Sequence, residues 1–242
     1  MNSPTPAPTP PAQQPVAHPG GPTFLFDLDG TLVDSVYQHV LASREALEAC
    51  GIELSVWRIH RRVGMSGGLM ANAILRETGH QVTAEEAARL LKSHAEAYAR
   101  QAGQIRPLPG AKELLAYLAR MGVPWTIATS ARLESARPTL EVLGVGAEVP
   151  VVTRDQVAHA KPDPDLFVEA ARRLGVAPAS AFVVGDSVWD LLAAQRAGAL
   201  GVGLLSGGYG QEELERAGAY RVYQDPADLL VHLDEVGVRV AE

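Results

Sequence analysis

The sequence predicts an α/β fold, a parallel sheet with helices on both faces, interrupted after its first strand by an all-helical insert. Three observations predict it. After Pro107, short apolar runs alternate with helical segments of about ten residues, the pattern of strands buried on both faces. Between residues 35 and 100 the periodicity is helical, with no strand pattern. Several of the apolar runs end in polar residues, as expected where such a sheet presents its carboxyl ends to a ligand.

Residues 1–22 hold eight of the 17 prolines, separated by Thr, Ala and Gln. That composition favours extended polyproline conformations and offers too little apolar surface to fold, so this stretch is expected to be a disordered tail. A partner-docking arm is the functional reading of the same composition. Thr23 to Phe26 form the first strand, which runs into Asp27 and Asp29, and Gly30 allows a sharp turn after them. Val36, Val40, Leu41, Leu47 and Cys50 mark one face of a helix that stops at Gly51. Cys50 is the single cysteine, cannot pair within the chain, and reads there as a small buried hydrophobe. Val56 to Val63 form a second, short helix ended by a turn through Gly64, Gly67 and Gly68, and Leu69 to Thr78 a third. Thr83 with Glu86 is a capping box that opens a fourth helix reaching about Arg100. The insert therefore spans 35–105, and the sheet domain is built from 23–34 and 106–242.

In the second part, helices are expected over 111–121, 133–143, 163–174 and 188–197, and strands over 124–128, 149–152, 181–184 and 201–205. Segments 212–217, 220–223 and 226–236 complete the chain. With 242 residues and 47% hydrophobic content, a sizeable core is available. A net charge of -7 without a long basic run excludes nucleic acid and an anionic membrane surface as the main partner. No apolar run reaches the roughly 18 to 20 residues that span a bilayer, and no leader pattern opens the chain. A cytoplasmic location is expected. Oligomeric state has no signature, because no heptad or spare apolar stripe is left over.

The chemistry sits at the strand ends. Asp27 and Asp29 lie two apart on extended backbone, pointing the same way and roughly 6 to 7 Å from one another. Burying unpaired carboxylates at the end of an apolar strand is costly unless something offsets their charge, and a metal ion is the expected agent. The strand WTIA ends in Thr129 and Ser130, VVT leads past a loop to Lys161, and FVVG ends before Asp186, with Asp190 one helical turn on. Blander readings stand beside each. DxDG also opens calcium loops, but here the glycine is fourth, position twelve is Gln38, and a strand precedes it. Thr129 or Ser130 alone is a helix cap, Lys161 alone a surface charge, and Asp190 alone a first-turn acid favoured by the helix dipole. Glycines 201 to 208 lack the register of a dinucleotide loop and read as a strand-end turn. The seven histidines show no zinc spacing.

DLDGT (27–31), Thr129, Lys161 and GDSVWD (185–190), in that order, resemble the four motifs of the haloacid dehalogenase superfamily, in its phosphatase-like branch with a helical cap. The resemblance covers residues 23 to about 236. It implies a Rossmann-like parallel sheet, with 35–105 as the cap. It implies Asp27 as nucleophile, forming an aspartyl-phosphate, and Asp29 as the acid for the leaving alcohol and then the base for water. Magnesium is implied, held by the Asp27 carboxylate, the Asp29 carbonyl and Asp186. Thr129 and the Ser130 amide are implied to hold phosphate oxygens and Lys161 to offset charge, with Asp190 orienting Lys161 or a metal-bound water. The dehalogenases lack the second aspartate, so Asp29 implies an oxygen leaving group. Phosphonate cleavage needs a cap lysine, and the insert has only Lys92, set away from the expected cap loop. The implied substrate is a small phosphorylated metabolite, in an arrangement most similar to phosphoglycolate phosphatases. A β-phosphoglucomutase-like mutase and a catalytically silent binding protein are the alternatives. Arg62 to Gly68, including Met65, Ser66 and Gly67, is the expected cap loop over the site. An arginine among Arg58, Arg61 and Arg62 either clamps an anionic end of the substrate or belongs to a solvated basic face.

Overall fold

The computed structural model describes residues 21–79 and 83–238. Residues 1–20, most of the stretch read as a proline-rich tail, lie outside the described residues. Six parallel strands form one sheet in the order β5-β4-β1-β6-β7-β8. They are β1 (Thr23–Phe26), β4 (Trp125–Ala128), β5 (Val151–Val152), β6 (Ala181–Gly185), β7 (Leu200–Leu204) and β8 (Ala219–Tyr223). The crossovers are α5 (Ala111–Arg120), α6 (Leu133–Leu143), α7 (Asp165–Arg173), α8 (Val188–Ala197) and α9 (Gln211–Arg216), and α10 (Pro226–Val231) follows β8.

Burial on both faces explains the apolar run of β1. Phe24 and Phe26 pack with Leu114, Leu118, Leu140 and Leu229 of α5, α6 and α10. Leu25, pointing the other way, packs with Leu166, Phe167, Ala193 and Ala194 of α7 and α8. β1 pairs on both edges, with Phe24 opposite Trp125 and Phe182. The strand that carries the two aspartates is thus held in the middle of the sheet.

The helical stretch comprises α1 (Val36–Ala49), α2 (Val56–His60), α3 (Gly67–Glu77) and α4 (Ala84–Gln101). Val36, Val40, Leu47, Ile59, Ile74 and Leu90 give it a core of its own. Ala42 of α1 and Ala97 and Tyr98 of α4 join instead the cluster beneath the sheet. The chain enters and leaves this stretch through β2 (Val33–Asp34) and β3 (Arg106–Pro107), an antiparallel pair with Asp34 opposite Arg106. The sequence shows only linkers here, because two-residue strands are too short to display a period.

Other expectations are adjusted. Leu41 is 50% exposed, not on the buried face. It lies one residue off the Val36, Val40, Leu47 stripe, so its side chain turns about 100° away. Cys50 is partly buried, at the edge of the insert core. β5 begins only at Val151, after Pro150, which lacks the N–H a ladder needs. The segment 226–236 is a short helix followed by a 3-10 turn at Leu233–Val236.

Candidate active site

Adjacent strand ends place the chemistry. Asp27 follows β1, its backbone N–H held by the Val184 carbonyl of β6 at 2.9 Å. Asp186 follows β6, so the neighbouring strands β1 and β6 deliver two acids side by side. Thr129 follows β4 on the other flank of β1, its N–H bonded to the Val152 carbonyl at 2.9 Å and its hydroxyl accepting from the Ala131 N–H at 3.0 Å. Lys161 lies in the loop after β5 and is fully buried, a position an ammonium tolerates only with partners. Its Nζ donates to Asp27 and lies 2.8 Å from Asp190 Oδ1. The other oxygen of Asp190 accepts from the Ser187 N–H at 3.1 Å and from the Ser187 hydroxyl. Both Asp190 oxygens are thereby engaged, which leaves Asp27 and Asp186 to face a ligand.

Asp186 Oδ1 accepts from the Thr31 hydroxyl at 3.0 Å. Around its Oδ2 the chain uses glycine twice. A Cβ at Gly30 would sit 2.4 Å from that oxygen, and one at Gly207 only 1.9 Å. Gly30 also has φ +83°, a left-handed conformation that side chains resist. Gly207 belongs to the glycines after β7, read from sequence as a simple turn.

Three buried carboxylates surround one lysine, and each offers an oxygen within 4.8 Å of the other two. Burial pushes Asp27 up to about 7 in spite of Lys161, with Asp190 adding to the rise. Burial, then Asp190 and Asp27, raise Asp186 well above the carboxylate range. Burial alone would favour a neutral Lys161, but the two carboxylates beside it outweigh that and push it up. The site carries more negative charge than its lysine offsets, and its donors are hard oxygens, so it fits an oxygen-preferring divalent cation such as magnesium. The folded state holds the Asp27 proton more tightly than an unfolded carboxyl with pKa 3.8, so stability from this group is lost as pH rises from 3.8 toward 7. In EDTA, the melting temperature of the wild type is expected to fall relative to that of Asp27→Asn across this window. Added Mg²⁺ should raise the wild-type value at pH 8 and barely change it at pH 5. A difference that stays flat with pH would contradict this electrostatic account.

Asp29 faces the helical stretch. Its Oδ1 accepts from the Ser35 hydroxyl at 2.6 Å and the Tyr98 hydroxyl at 3.3 Å, and His39 Nε2 lies 3.4 Å away. Burial works to raise the Asp29 carboxyl, but the His39 imidazole and these hydrogen bonds outweigh it and hold Asp29 below the ordinary range. The His39 ring stacks on Tyr98 at 4.0 Å between centroids and shares a hydrogen bond with His94 at 3.3 Å. Burial pushes His94 down to about 3, so it is neutral. None of Ser35, His39, His94 and Tyr98 was singled out from sequence. The available signal was the spacing of Ser35 and His39, four apart and therefore on one face of α1.

The loop 62–68 lies on the strand ends. Gly64 accepts a hydrogen bond from the Ser130 hydroxyl at 3.2 Å, and the Ser66 N–H donates to the Lys161 carbonyl at 3.2 Å. Ser66 then caps α3, accepting from the Leu69 N–H. Met65 is half-buried between these two contacts, and Gly67 packs against Leu91, which a Cβ would approach to 2.9 Å. The neighbouring arginines bond to protein groups. Arg58 and Arg62 pair with Glu77, and Arg62 also donates to the Arg58 carbonyl at 2.6 Å. Arg61 pairs with Glu213 of α9 and lies over the Tyr209 ring at 4.1 Å, while its carbonyl accepts from Trp189 Nε1 at 3.2 Å and the Tyr209 hydroxyl at 3.0 Å. His60 shares a hydrogen bond with the Gly207 carbonyl at 2.7 Å. These contacts seat α2 and the loop on the sheet side of the molecule.

A family model for haloacid dehalogenase-like hydrolases matches residues 22–198, a span that includes Asp27, Asp29, Thr129, Lys161, Asp186 and Asp190. The chain belongs to the haloacid dehalogenase-like hydrolases. A solved hydrolase from Pseudomonas syringae superposes with a TM-score of 0.87 at 54% identity, over 89% of this chain and 99% of that one. Hexitol phosphatase A of Escherichia coli K12 is 34% identical over 72% of this chain and 79% of its own length. A phosphoglycolate phosphatase of Shigella boydii is 32% identical over 85% of this chain and 89% of its own. Among the described residues of this haloacid dehalogenase-like hydrolase, no helix is long and apolar enough to cross a membrane.

Proposed function

We propose that this hydrolase is a magnesium-dependent phosphatase of a small phosphorylated metabolite, working through an aspartyl-phosphate on Asp27. One observation carries the reading: a fully buried Lys161 is bonded to Asp27 and Asp190 where adjacent strand ends also bring Asp186 and Thr129. Asp29, ionised at rest, takes up the proton carried by the monoanionic phosphoester; Asp27 then attacks phosphorus while the bond to the leaving oxygen breaks, and Asp29 gives that oxygen this proton. Asp29 then takes a proton from water, which attacks the aspartyl-phosphate and frees phosphate. Thr129 and the Ser130 N–H hold phosphate oxygens, and Lys161 offsets the charge gathered on Asp27 and the phosphoryl group. Magnesium would be held by the Asp27 and Asp186 carboxylates and the Asp29 carbonyl, and it supplies positive charge against the phosphate. Asp190, spent on Lys161 and Ser187, orients the lysine.

The helices of 35–105 act as a cap and the β2–β3 ribbon as its hinge. A loop hydrogen-bonded directly to Ser130 and Lys161 leaves little height above the site, which suits a small leaving alcohol. The phosphatase names of the two curated relatives point the same way. Lys92, ion-paired with Glu96 at 3.9 Å, has an 81% exposed side chain, so no cap amine serves a phosphonate route. The test is a panel of phosphorylated metabolites incubated with Mg²⁺ and read as inorganic phosphate, including phosphoglycolate, hexitol phosphates and hexose phosphates. Release from a phosphoglycolate or hexitol phosphate is expected. Interconversion of a hexose 1-phosphate and 6-phosphate with little free phosphate would replace this reading with a mutase. No turnover of any compound would leave a silent binding protein.

A further inference from the structure

The groups on Asp29 come from opposite ends of the helical stretch and converge on one oxygen. Ser35 and His39 belong to the start of α1, whereas Tyr98 lies in the last turns of α4, 69 residues from Asp29. Tyr98 is buried, and its ring is fixed by stacking on His39 at 4.0 Å and 10°. The three groups that reach Asp29 all meet Oδ1, and among the described residues no hydrogen bond to Asp29 Oδ2 is found.

That asymmetry has a chemical meaning. Donors gathered on one carboxylate oxygen fix the plane of the group and concentrate its negative charge there. The carboxylate is ionised at rest, so the proton it transfers arrives on the monoanionic phosphoester and is taken up by the other oxygen. We infer that Tyr98 is a positioning residue for proton transfer at Asp29: its hydroxyl, donating to Oδ1, holds the carboxyl so that Oδ2 faces the leaving oxygen. As the P–O bond breaks, its electron pair goes to that oxygen, which takes the proton from Oδ2, while the new P–O bond forms at Asp27. Since Tyr98 rides on α4 and Ser35 on α1, the arrangement exists only while these helices pack together.

The inference rests on the phosphatase reading, and its test separates the two. Tyr98→Phe keeps the ring and its stack and removes only the hydroxyl. Its kcat/KM is measured with two esters: whichever of phosphoglycolate and a hexitol phosphate the wild type hydrolyses faster, and 4-nitrophenyl phosphate. The first has an alcohol that must leave protonated, and the second a phenolate that leaves as a stable anion. This ratio reports steps through P–O cleavage, so later hydrolysis of the aspartyl-phosphate does not enter. A roughly tenfold fall with the alkyl ester and less than about twofold with the aryl ester is expected, a fraction of the range that general acids supply. Equal falls with both esters, or no fall with either, would overturn the assignment. Ser35→Ala removes another donor to the same oxygen and should show the same selective loss, which keeps the test decisive if Tyr98→Phe folds poorly. A wild type that hydrolyses neither ester overturns the phosphatase reading instead.

Discussion

Asp27→Asn is expected to lower phosphate release by roughly 10⁴-fold or more while leaving the protein folded, because an amide can neither attack phosphorus nor become an acyl phosphate. The surroundings of Asp27 make this the largest functional effect available. It follows β1, which is paired on both edges, and its N–H is held by the Val184 carbonyl of β6 at 2.9 Å, so the substitution changes chemistry and not position. The fold should gain, since one of three clustered carboxylates becomes neutral. Phosphate release under saturating Mg²⁺, together with thermal melting in EDTA, checks both halves. Activity within tenfold of the wild type would remove Asp27 from the nucleophile's role.

Lys161→Met is expected to destabilise the protein by about 3–5 kcal/mol at pH 8, the usual cost of removing one partner from a buried ion pair. Methionine matches much of the lysine stem, so lost volume is a small part of the effect, although the ammonium's place over the Phe167 ring, 5.2 Å from its centroid, is lost with the charge. What remains is electrostatic: Asp27, Asp186 and Asp190 are left buried with no cation among them. The sign with pH follows from the raised acids. Asp27, pushed up to about 7, is largely protonated at pH 5 and charged at pH 8, so the penalty should grow across that interval. Mg²⁺ should recover part of it. Urea unfolding of both proteins at the two pH values measures this, and a difference below about 1 kcal/mol at pH 8 would mean that Lys161 is not what makes the acid cluster tolerable.

The groups at the strand ends and those around Asp29 differ in how they are built, and that governs what could be read in advance. Asp27, Thr129, Lys161 and Asp186 each follow a strand that is itself recognisable as a short apolar run. The parallel sheet then brings strand ends together by construction, so their convergence follows from topology alone. The core was legible for the same reason. Phe24, Leu25 and Phe26 form a continuous apolar run because both faces of β1 are covered.

The neighbours of Asp29 were not legible in this way. Tyr98 and His94 sit in α4, where a polar or amphipathic residue on a helix looks like part of a solvated face until the helix is packed. The same holds for Arg61, whose partner Glu213 is 152 residues away. Its guanidinium is spent on a contact between the helical stretch and α9, a pairing with no local spacing to betray it. Gly207 shows its meaning only once a Cβ there is seen to collide with Asp186.

By itself, then, the sequence determined the parallel sheet, the helical stretch inserted after its first strand, and which side chains stand at the strand ends. Periodicity and strand-end position are properties of neighbouring residues. Only the tertiary structure decided how those groups are charged and aimed: the sharing of Lys161 between Asp27 and Asp190, the fixing of Asp29 through one oxygen, and the seating of the 62–68 loop on Ser130 and Lys161. Desolvation and hydrogen bonding between segments far apart in the chain have no local pattern, and they exist only once the helices and the sheet have packed.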